Sequence, residues 1–90
     1  MMPVSATTTA TSAAIKLGPG MLHAATLTAA GDVATLIIYD NTTNTGTIIL
    51  KLSAIANTSA VISFPAPIVF HTGCYAAVTG TTPSATVAYV

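Results

Sequence analysis

Val33–Asp40, VATLIIYD, and Thr47–Ala54, TIILKLSA, are the two segments that decide the fold, with the polar run Asn41–Gly46, NTTNTG, between them. The first is rich in β-branched and aromatic residues, which suit a pleated, partly buried surface. It is apolar at nearly every position, so it is expected at the centre of a sheet and covered on both sides. The second alternates. Ile48, Leu50 and Leu52 are expected to face one way, and Thr47, Ile49, Lys51 and Ser53 the other. Asn and Gly at the ends of the intervening run are turn residues, because both tolerate left-handed backbone.

Working outward, the same pattern of short apolar runs and turn signals repeats. Towards the N-terminus, Met21–Ala29 is a further strand, closed by the turn Ala30-Gly31-Asp32. Before it, Ala13–Lys16 is a short strand, broken by Leu17-Gly18-Pro19-Gly20. Towards the C-terminus, Ser59–Phe64 is a strand that Pro65-Ala66-Pro67 is expected to end. Ile68–Phe70 follows as a short strand, then the turn His71-Thr72-Gly73. The last two strands are Cys74–Thr79 and Ala85–Val90, separated by Gly80–Ser84. Strands at this spacing predict an all-β fold, a small antiparallel β-sandwich or jelly-roll-like barrel of about seven or eight strands. Its expected core is Leu36, Ile38, Ile48, Leu50, Leu52, Ile62, Phe64 and Phe70. Residues 1–12, MMPVSATTTATS, carry only Met1, Met2 and Val4 as sizeable apolar groups. They are expected to form an extended arm, lying on a neighbouring chain and outside the sandwich domain of residues 13–90.

Composition limits the function. Only 4% of the 90 residues are charged: Lys16, Asp32, Asp40 and Lys51. The net charge is zero. Two lysines cannot neutralise a run of phosphates, so nucleic-acid binding is not expected. Hydrophobic residues make up 52%, against a disordered chain. No apolar stretch approaches the roughly 18 residues of a membrane helix, and no membrane partner is expected. The start Met1-Met2-Pro3 lacks the basic and apolar regions of a secretory signal. Asn41-Thr42-Thr43 and Asn57-Thr58-Ser59 therefore read as turns rather than glycosylation sites. A domain of this size leaves about a third or more of its unfolded surface exposed. With so few charges, that surface must be Ala and Thr, 17 of each, with Ser, Asn and backbone. A neutral surface of that kind invites association, and the chain is expected to work inside an assembly.

Candidate chemistry is sparse. His23, His71, Cys74 and one aspartate are the types that bind zinc, but His71 and Cys74 straddle a turn and His23 belongs to another strand. No metal site is expected. Asp32 and Asp40 flank one strand and lie roughly 25 Å apart, too far for a carboxylate pair, so they read as turn caps. Cys74, the one cysteine, reads as a buried thiol. There is no nucleophile–base motif and no phosphate loop. No catalytic residue, no cofactor and no enzymatic activity are expected. Tyr39, Tyr75 and Tyr89 lie in strands and would suit a core edge, a subunit interface or a sugar-binding face.

The segments IKLGPGML (15–22), LIIYDNTTNTG (36–46), ISFPAPIVFHTGCYAAVTGT (62–81) and TVAYV (86–90) form a recognisable order. It resembles small proteins encoded beside the structural genes of tailed bacteriophages. The shared pattern is I-K-x-G-P-G-x-L, an aliphatic-Y-D-N-T turn, an F-P…I-x-F-x-T-G-x-Y hairpin and a terminal V-x-Y strand. Here its residues are Ile15, Lys16, Gly18, Pro19, Gly20, Leu22, Tyr39, Asp40, Asn41, Thr42, Phe64, Pro65, Ile68, Phe70, Thr72, Gly73, Tyr75, Val87 and Tyr89. The resemblance spans residues 13–90 and rests on turn chemistry. It implies a virion component assembled in the host cytoplasm: a capsid decoration or cement subunit, homo-oligomeric and first expected as a trimer, resting on the major capsid protein. A neck- or tail-associated piece is the other location it implies; the alternative function, which the strand tyrosines would suit, is a neck-, tail- or fibre-borne binding module with weak affinity for host glycans.

Overall fold

The computed structural model describes residues 4–90. Eight strands form in chain order: β1 Ser5–Thr9, β2 Ala13–Leu17, β3 Gly20–Thr28, β4 Ala34–Asp40, β5 Thr47–Ala54, β6 Ser59–Phe70, β7 Gly73–Thr79 and β8 Ser84–Tyr89. They build two antiparallel four-stranded sheets. The first has the order β1-β8-β3-β6 and the second β2-β7-β4-β5. The four pairs β1·β8, β2·β7, β3·β6 and β4·β5 nest inside one another. The chain is thus one long hairpin rolled so that β3 also meets β8 and β4 also meets β7. That is the topology of a jelly roll, a β-sandwich of two Greek keys.

Alternation explains the packing. In β4, Ala34, Leu36 and Ile38 are buried and point at the facing sheet. Thr35, Ile37 and Tyr39 lie half-buried on the outside. The strand is central, as expected, but only one of its faces is covered by a sheet. The core joins Leu22, Ala25 and Leu27 of β3, Leu36 and Ile38 of β4, Leu50 of β5, Phe70 of β6, Cys74, Ala76 and Val78 of β7, and Ala85 and Val87 of β8. Leu52, Ile62 and Phe64 pack against it while partly buried.

Three further expectations need correction. Ile48, expected inside, is 45% exposed, and Ile49 packs against the core in its place. The cause is a bulge. Ile38 pairs with Leu50 but Tyr39 pairs with Ile48, so Ile49 is the extra residue and the alternation reverses there. Second, Pro65-Ala66-Pro67 does not end a strand. β6 runs unbroken from Ser59 to Phe70. It is an edge strand, where a missing N–H costs no ladder bond, and the prolines fall in a wide bulge. Leu22 pairs with Ile68 and Ala24 with Ser63, so the residues between bow out opposite His23. Third, the segment read as an arm on a neighbour folds onto its own chain. Ser5–Thr9 pairs with β8 from Ser5↔Tyr89 to Thr9↔Ala85. Ser12 then fixes the crossing to the second sheet by hydrogen bonds with both the C=O and the N–H of Val78. Met1–Pro3 lie outside the described residues.

Candidate functional site

Two places collect the residues that the sequence singled out. The first is one end of the sandwich, where four separate segments meet. Gly18 lies in the β2–β3 turn with φ 98° and donates its N–H to the Thr72 carbonyl at 3.1 Å. At Gly20 an added Cβ would collide with the Val90 carbonyl. It would also stand 2.7 Å from Phe70 Cζ and 3.0 Å from Lys16 Nζ. At Gly73 it would stand 2.9 Å from the Lys16 carbonyl oxygen and from Thr42 Cγ2, and 3.0 Å from the Asn41 carbonyl oxygen. Only glycine allows such backbone approach at these two positions. Val90 and Met21 exchange backbone hydrogen bonds at 2.9 and 3.1 Å.

Asp40 ties this end together. Its Oδ1 accepts the backbone N–H groups of His71 at 2.9 Å and Thr72 at 2.8 Å. The bond from the Thr72 N–H is the main reason its carboxyl is held below the usual value. Those from His71 and Gly73 add to it, and burial partly opposes them. Asp40, expected to cap its own turn, instead clamps the β6–β7 turn, which is more than 30 residues away in sequence. Asp32, at the other end of β4, is local: it accepts the N–H of Val33 at 2.8 Å.

This end does not offer nucleophilic chemistry through Cys74. That thiol is fully buried, and its pKa is pushed up to about 11, first by burial and then by the nearby negative Asp40. Asp40 spends its oxygen on backbone groups. His71 is exposed on the turn. His23 stands apart in β3, opposite the β6 bulge, and its Nε2 is buried without a hydrogen-bond partner. Among the described residues no three His, Cys, Asp or Glu side chains gather as a ligand set, and no pocket indents the surface.

The second place is the outer face of the β2-β7-β4-β5 sheet. Tyr39 pairs directly with Tyr75 across β4 and β7. Ala14 lies beyond Tyr75, and Ile48 beyond Tyr39. Ala14, Tyr75, Tyr39 and Ile48 thus form one apolar row across all four strands, with Ala77, Ile37 and Lys51 as the next row. Tyr89 does not join them. It belongs to the other sheet, where its hydroxyl lies 3.1 Å from Thr7 Oγ1. The sequence singles out Tyr39 and Tyr75 separately but does not pair them, because strand neighbourhood depends on topology. The opposite outer face, on β1-β8-β3-β6, is a row of Ala6, Ala88, Ala24 and Ser63 beside a row of Thr8, Thr86, Thr26 and Val61. Oγ1 of Thr8 and Thr86 lie 2.9 Å apart. Comparison with known proteins finds no matching family model, no matching curated protein and no matching solved structure.

Proposed function

We propose that this chain is a non-enzymatic structural subunit of a virion: a capsid decoration or cement protein that associates with copies of itself and rests on a larger shell protein. The observation that carries the reading is the near-absence of charge on the two sheet faces. Of the side chains that face outward from the sheets, only Lys51 is charged. A free monomer gains solubility from exposed charge, and a face that is covered in an assembly does not need it. The row from Ala14 to Ile48 supplies what a docking face needs: two aromatic rings framed by aliphatic groups. Jelly rolls recur in capsid and lectin domains. That is analogy at the level of fold, and it adds weight without carrying the argument. A trimer suits a local three-fold position of a shell. In this reading the protein is assembled in the host cytoplasm and is found in the particle. A density map of the particle tests it: the β2-β7-β4-β5 face should lie against the shell, and a chain absent from the shell overturns the reading.

The paired tyrosines favour one second reading, a tail- or fibre-borne module that stacks a host sugar on Tyr39 and Tyr75. A glycan array separates the two. A signal lost in Tyr75→Ser supports the sugar face; its absence, together with co-purification with shells, supports the cement role.

A further inference from the structure

The two sheets have four free edges, β1 and β6 in one sheet and β2 and β5 in the other. An open edge is a template for pairing, and proteins blunt it with lysine, proline, bulges or inward-pointing charge. Three of these edges are blunted. β6 carries Pro65 and Pro67 within its wide bulge. β5 carries Lys51 at its middle and the bulge at Ile49. β2 has a bulge at Ile15, and its Lys16 pairs with the buried Cys74 and reaches in beside Gly20. Both lysines of the chain therefore stand on edge strands of one sheet. Among the described residues, β1 carries no lysine, proline, bulge or inward-pointing charge. Its five residues are Ser, Ala and Thr, and its register against β8 is unbroken.

We infer that β1 is the self-association edge of this protein, and that its partner is β1 of a second copy. Set antiparallel about Thr7, the strand is complementary to itself. Ser5 meets Thr9 of the second copy, Thr7 meets Thr7, and Ala6 meets Thr8. No charges oppose one another, and cross-strand Thr and Ser pairs favour sheet formation. The contact is two-fold and closed. It extends one sheet through both copies, and the uncharged rows of Ala6 and Thr8 run on across the joint. The pairing rests on the assembly reading above but not on its three-fold symmetry. A five-residue strand is short for a stable interface, so the dimer should form reversibly with concentration.

Two variants test this on the full chain. Thr7→Cys places one thiol at the two-fold axis, while the native Cys74 is buried and held as thiol. Under mild oxidation it should give a disulfide-linked dimer. Ser53→Cys, exposed on β5, should give no disulfide-linked dimer. The pair Ala6→Lys with Thr8→Lys sets like charges opposite each other across the joint, on exposed positions that leave β1·β8 in place. It should move the monomer–dimer midpoint to at least about tenfold higher concentration, with an unchanged circular dichroism spectrum. A trimer in which the Thr7→Cys variant does not cross-link refutes the β1 edge and leaves the assembly reading standing. A chain that is monomeric at every concentration refutes both.

Discussion

Replacing Asp40 by Asn should loosen the end of the sandwich, and the structure sets the size of the effect. The carboxylate accepts two backbone N–H groups at 2.9 and 2.8 Å. A hydrogen bond to a charged group contributes about 1.5–3 kcal/mol when well shielded. Asp40 closes β4 near solvent, and asparagine keeps one neutral acceptor, so the net loss should be about 1–2 kcal/mol. For a domain of this size that lowers Tm by about 4–16 °C. The pH dependence has a definite sign. The carboxyl pKa is lowered in the fold, so the contribution is complete above the unfolded value and fades as pH falls through the folded one. Urea unfolding of both proteins should show the full gap at neutral pH, narrowing as pH falls through the ordinary carboxylate value towards the lowered one. Equal midpoints at neutral pH, or a gap of constant size at all pH values, would refute the clamp.

Three further outcomes follow from the packing. Gly73→Ala should destabilise by about 1–3 kcal/mol, because its Cβ meets the backbone of Lys16 and Asn41; chemical denaturation measures it. Ile49→Thr should cost about 1–2 kcal/mol while Ile48→Thr costs less than about 0.5, since only Ile49 packs on the core; the reverse order would refute the bulge. Cys74 should resist a thiol reagent in the native protein and react at once in denaturant, which a colorimetric thiol assay reads directly.

Much of the fold is legible because strands announce themselves locally. The alternation of Leu50 and Leu52 around Lys51, and the density of β-branched residues from Val33 to Tyr39, carry the pattern without neighbours. What local pattern cannot carry is pairing. The extra residue at Ile49 is visible only against β4, and it reverses two isoleucines that look alike in sequence. The prolines at 65 and 67 read as a stop because their tolerance depends on β6 lying at an edge. Ser5–Thr9 reads as an arm because it brings almost no apolar surface; its place comes from the backbone ladder with β8. The glycines at 18, 20 and 73 are recognisable as turn chemistry, but their convergence at one end of the sandwich follows from the jelly-roll winding. The Tyr39–Tyr75 pair is the same kind of fact.

Sedimentation velocity over a concentration series tests the central claim, that the uncharged faces of this chain exist to be covered by other protein. The account predicts a mass that rises with concentration above the 9.0 kDa of one chain, with the rise weakened by added charge on β1. A single species of 9.0 kDa at every concentration, up to the limit of solubility, would contradict it.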